Sequence, residues 1–70
     1  MPKFYSSRKI VKVLEKQGFV FVSQKGSHAK YRKYETPVLT VIIPIGKKEI
    51  PLGTYKSILR QSQLKEEAFK

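Results

Sequence analysis

A single histidine, His28, stands among 70 residues, at the head of the run Gly26-Ser27-His28-Ala29-Lys30-Tyr31-Arg32-Lys33. With an ordinary pKa of about 6.5, an imidazole can take or give a proton at neutral pH, and no other side chain type in this sequence does so unaided. Lys25, Lys30 and Arg32 flank it with positive charge suited to phosphate. Proton transfer beside a bound phosphate is the chemistry such a run could perform. A lone histidine is also commonly an ordinary surface or packing residue, and spacing does not separate the two readings.

A strand would order this run. Side chains alternate across a strand, so His28, Lys30 and Arg32 share one face, about 6.6 Å apart in a row, while Ala29 and Tyr31 point the other way. The strand is expected over His28–Tyr34 and forms a hairpin with Phe19–Val22 across a Lys25-Gly26 turn signal. Gly26 suits a left-handed turn or close approach by a ligand, and Ser27 suits the turn or a hydrogen bond to the imidazole or a phosphate. After Glu35-Thr36-Pro37, the β-branched run Val38–Ile43 reads as a third strand, stopped by Pro44.

Helices are expected on either side of this meander. Ser6 or Ser7 can cap a helix over Ser7–Gln17 with Ile10, Val13 and Leu14 on its apolar stripe and Gly18 at its end. Thr54 can cap a second over Tyr55–Gln61 with Ile58 and Leu59 inward, and Leu64–Phe69 can add a short turn, with Glu66 and Glu67 near its positive start. The expected fold is α+β: one small domain over residues 1–70, a three-stranded antiparallel sheet with both helices on one face. The other face is then left for a ligand.

Fifteen Lys and Arg against five Asp and Glu give a net charge of +10, which calls for a polyanionic partner: nucleic acid, an acidic protein or an anionic membrane. The membrane is disfavoured, because no stretch approaches the roughly 20 apolar residues of a span. Met1-Pro2-Lys3-Phe4-Tyr5-Ser6 leads into charges where a signal peptide would be apolar, so a cytoplasmic location is expected. With no Cys, one His and scattered carboxylates, neither a metal site nor a cofactor is expected. Tyr5, Tyr31, Tyr34 and Tyr55 could stack on bases, although core packing is the commoner fate of a tyrosine.

Gly18-Phe19, Gln24-Lys25-Gly26-Ser27-His28, Lys48-Glu49-Ile50, Gly53-Thr54 and Ser57-Ile58-Leu59-Arg60-Gln61 occur together and in order, and in this the chain resembles the HicA family of toxin mRNA interferases. The resemblance runs roughly from Ile10 to Phe69. It implies a fold similar to double-stranded RNA-binding domains, RNA cleavage dependent on the triplet histidine, here His28, and inhibition by a HicB antitoxin. Relatives often carry a second histidine two residues after the proline that ends the third strand. Gly46 stands there in this chain, in a loop one residue shorter, which implies lower activity or an altered substrate preference.

The reaction expected from these residues is metal-independent cleavage of mRNA, with neutral His28 as general base on a ribose 2′-hydroxyl. Lys25 and Lys30 are the cations best placed to offset charge on the phosphate, Gly26, Ser27 and Arg32 complete the RNA-binding set, and the leaving oxygen takes its proton from a lysine, a tyrosine or water. The rival is an RNA-binding module of the same fold without catalysis. A third reading is a protein-interaction subunit, because Val38, Thr40 and Ile42 would lie on the open sheet face.

Overall fold

Ser6 starts the first helix by its own side chain. Its backbone is extended, and its Oγ accepts the Lys9 N–H at 3.1 Å, satisfying one of the donors a helix start leaves unpaired. In the computed structural model, which describes residues 4–70, helix α1 runs Ser7–Lys16 and buries Ile10, Val13 and Leu14. Of the segment Met1–Ser6, expected to differ from a signal peptide, Met1, Pro2 and Lys3 lie outside the described residues.

Gly18 ends α1. At φ +99°, it donates its N–H to the Glu15 carbonyl at 3.1 Å, while Phe19 donates to Leu14 at 2.9 Å. These are the two bonds of a Schellman closure, which needs a left-handed residue at this position. Phe19 is thereby turned inward and buried beside Leu14 in the core.

The strands are β1 (Val20–Lys25), β2 (His28–Lys33) and β3 (Leu39–Pro44), antiparallel and in the spatial order β1-β2-β3. β1 starts one residue later and runs three residues further than expected, because pairing with β2 carries the polar Ser23–Lys25 up to the turn. β2 stops at Lys33, short of the exposed Tyr34. Pro44 belongs to β3 and pairs with His28. The Ile42 N–H points away from β2 to Gln61 Oε1 at 3.1 Å, so two residues on, Pro44 also presents its missing N–H to the free edge, where a sheet tolerates proline.

Helix α2 runs Leu52–Ser62, which corrects the expected start. Thr54 caps nothing. The chain turns helical directly after Pro51, whose carbonyl accepts the Tyr55 N–H at 2.9 Å, and Thr54 falls in the first turn because proline at φ −56° already sets the entry. The helix ends at Gln63 in the left-handed conformation. Glu66–Phe69 adds one 3₁₀ turn. There Phe69 is buried edge-on against Tyr55, ring centres 5.6 Å apart, with Tyr5 closing the cluster.

Ala29, Tyr31, Val41 and Ile43 point into the same core as the buried residues of both helices, so the helices cover one face of the sheet, as the alternation along β2 implied. Three of the four tyrosines are core residues, and Tyr34 is exposed. Burial pushes the Tyr31 phenol above its ordinary pKa, with the Glu15 carboxylate adding to the effect. Tyr55 moves the same way through burial, then Tyr5 and Glu66.

Candidate functional site

The turn between β1 and β2 consists of Gly26 and Ser27 alone. Gly26 has φ +58° and Ser27 is not among the residues with positive φ; glycine first with only that residue left-handed is the pattern of a type II′ hairpin. A Cβ at Gly26 would meet open space, so conformation and not crowding explains the glycine. This two-residue turn sets Lys25 directly opposite His28, with Cα atoms about 4.5–5.5 Å apart across an antiparallel pair.

A β-bulge then decides which β1 side chains share the face of His28. The register shifts between Phe21 and Ser23, so Phe21 opposes Tyr31 and Ser23 opposes Lys30, with Val22 left over. Strict alternation would put Phe21, Ser23 and Lys25 on one side of the strand. The bulge instead leaves Phe21 edge-on against Tyr31 on the core side, ring centres 5.7 Å apart, and puts Ser23 and Lys25 on the open face.

Three ranks of side chains result. Lys25, His28 and Pro44 form the first, Ser23, Lys30 and Ile42 the second, and Val20, Arg32 and Thr40 the third. A cleft of about 230 Å³ spans the first two ranks, lined by Ser23, Lys25, His28, Ala29, Lys30 and Ile42. Arg32 does not line it. That side chain is held in the third rank, its Nε donating to Thr40 Oγ1 at 3.1 Å, two ranks and about 13 Å along the strand from His28.

The remaining residues singled out in the sequence serve the backbone around His28. The Ser27 carbonyl accepts the Ile45 N–H at 2.7 Å, extending the β2–β3 ladder past the turn. Among the described residues, neither the Ser27 hydroxyl nor the His28 ring has a hydrogen-bond partner. His28 itself is exposed at the mouth of the cleft.

Ser23, Ala29 and Ile42 are the cleft residues that sequence reasoning did not assign to the site, Ala29 being expected on the core side. Ser23 lay beyond the expected end of β1. The signal that could have found it is the turn: two residues at Gly26-Ser27 fix the register backwards from Lys25. Ile42, exposed at 39%, had been placed on the open face without being connected to His28.

Ser7, the first residue of α1, fastens the surrounding frame. It is buried, donates its Oγ to the Pro44 carbonyl at 2.6 Å and accepts the Lys47 N–H at 3.0 Å, and its own N–H donates to the Lys47 carbonyl at 2.9 Å. Among the described residues, no helix is long and apolar enough to cross a membrane.

A comparison with curated proteins yields no match. The profile of the family described as HicA toxin of bacterial toxin–antitoxin, however, matches residues 7–64, a span that includes all three strands, both helices, the Gly26-Ser27 turn and His28. On that match the chain belongs to the HicA toxin family of bacterial toxin–antitoxin systems.

Proposed function

We propose that this toxin is a metal-independent endoribonuclease acting on mRNA in the cytoplasm, with His28 as general base. Neutral His28 takes the proton of a ribose 2′-hydroxyl as that oxygen forms a bond to the adjacent phosphorus. The bond from phosphorus to the 5′-oxygen breaks, leaving a 2′,3′-cyclic phosphate and a 5′-hydroxyl once the leaving oxygen is protonated. Lys25 and Lys30 offset the charge growing on the phosphoryl oxygens. Arg32 binds a phosphate further along the strand, while Gly26 and Ser27 let the RNA backbone approach the turn.

One observation carries this reading: the only histidine shares a cleft with two lysines, one directly opposite it across the hairpin. That pairing favours Lys25 over a tyrosine as donor to the leaving oxygen, since Tyr5, Tyr31 and Tyr55 are core residues, the exposed Tyr34 follows the far end of β2 from His28, and water is the remaining source. Membership in a toxin–antitoxin family points to an antitoxin partner. A HicB-like antitoxin would cover His28 and Ile42 beside it and extend along the open face towards the exposed Val20 and Val38.

A second reading, an RNA-binding module without catalysis, is favoured by the His28 ring itself, which no described residue orients. End-labelled single-stranded RNA, incubated in EDTA with wild type and His28→Ala, separates the two. Cleavage by wild type alone, leaving cyclic phosphate ends, is the expected result. Intact RNA in both, with binding retained, would replace the ribonuclease by the binding module.

A further inference from the structure

A cleft of about 470 Å³, larger than the one at His28, lies around the end of the sheet between α1 and the loop that follows β3. Val11 and Ile45 form its apolar floor, and Gly46, which has no side chain, leaves one wall low. Arg8, Lys12 and Lys47 line its rim, with Glu15 the single carboxylate among the lining residues. None of these four charges is paired: among the described residues the one salt bridge is Lys33–Glu35 at 3.9 Å.

We propose that this cleft is a docking site for an acidic partner segment, one apolar side chain entering between Val11 and Ile45 while flanking carboxylates meet Arg8, Lys12 and Lys47. The floor favours protein over nucleic acid, because a phosphate backbone gains nothing from aliphatic side chains and the cleft offers no aromatic ring for a base to stack on. The rim disfavours a second copy of the chain, whose net charge of +10 repels the same cations. The frame is fixed in advance. Ser7 bonds both Pro44 and Lys47, so the loop does not have to be ordered on binding, which lowers what association must overcome.

The inference does not depend on His28 chemistry. The probe is a blocked pentapeptide with one leucine between two pairs of glutamates, titrated into the isotope-labelled protein while amide signals are followed. Saturable shifts at Val11, Gly46 and Lys47 are expected, unchanged in His28→Ala. Binding is expected to weaken about fivefold or more in the double variant Arg8→Ala/Lys12→Ala, and about tenfold when serine replaces the peptide's leucine. Both replaced residues are exposed, and unshifted signals from the core check that the variant is folded. The proposal is overturned if these amides do not respond or if the serine peptide binds equally well. It is also overturned if a short single-stranded oligodeoxynucleotide shifts the same amides and displaces the leucine peptide, which would make the cleft part of an RNA surface.

Discussion

Ser7 Oγ donates to the carbonyl of Pro44 at 2.6 Å, and Pro44 is the residue paired with His28 across β2 and β3. The first turn of α1 is thus one side chain away from the strand end that flanks the candidate site. Ser7→Ala leaves the Pro44 carbonyl and the Lys47 N–H short of a partner in a part-buried place. A loss of about 1–3 kcal/mol is expected, read as a melting temperature lower by at least about 4 °C. An unchanged melting temperature would mean that water replaces the hydroxyl without loss.

Gly18→Ala tests the helix stop. The residue sits at φ +99°, and a Cβ there would come within 3.3 Å of Lys33 Cε. The flexible lysine can move aside, whereas the left-handed backbone cannot be avoided, so the expected cost is about 1–2 kcal/mol. Denaturant unfolding measures it. A stability equal to wild type would show that Phe19 holds the turn without the glycine.

The ranks on the open face predict different roles for its cations. Lys25→Ala removes charge beside His28, and single-turnover cleavage is expected to fall on the order of 10²-fold. Arg32→Ala, outside the cleft, is expected to weaken RNA binding and reduce the salt slope by about 0.7 while leaving the single-turnover rate at saturation near wild type. Equal losses of rate in the two variants would move the reacting phosphate away from the first two ranks.

The tyrosines make stability fall in alkali. Tyr31 and Tyr55 hold their protons more tightly folded than unfolded, so their contribution is fully present below the unfolded value of about 10 and is lost as pH rises through the higher folded values. Urea unfolding at about pH 9 and about pH 11 should show a drop for wild type and a smaller one for Tyr31→Phe. Identical drops would exclude Tyr31 from the alkaline transition. The comparison between variants removes the opposing effect of lysines losing charge over the same interval.

Local chemistry was legible and long-range register was not. Ala29 and Tyr31 could be assigned to the core, and His28, Lys30 and Arg32 to the other face, because period-two alternation needs only the strand itself. The extra residue at Val22 depends on where β1 meets β2, so Phe21 could not be assigned to the side of Tyr31 by counting along β1 alone. Thr54 carried the right side chain for a cap, but the preceding Pro51 had already fixed the helix entry. Ser7 looked like a second capping option beside Ser6; its burial depends on a loop some forty residues away folding back onto it.

The single ion pair among the described residues, Lys33–Glu35, sets how the free toxin responds to ionic strength. A chain of net charge +10 with almost none of it neutralised internally folds against its own repulsion, and added salt shields that repulsion within about 10 Å at 0.1 M. On the proposed ribonuclease function, the same ions would compete with RNA phosphates for the lysines and arginines. Raising salt is then expected to make the isolated protein sturdier and to weaken the grip on RNA that this function requires, so conditions that preserve it on the bench would be the ones that disarm it.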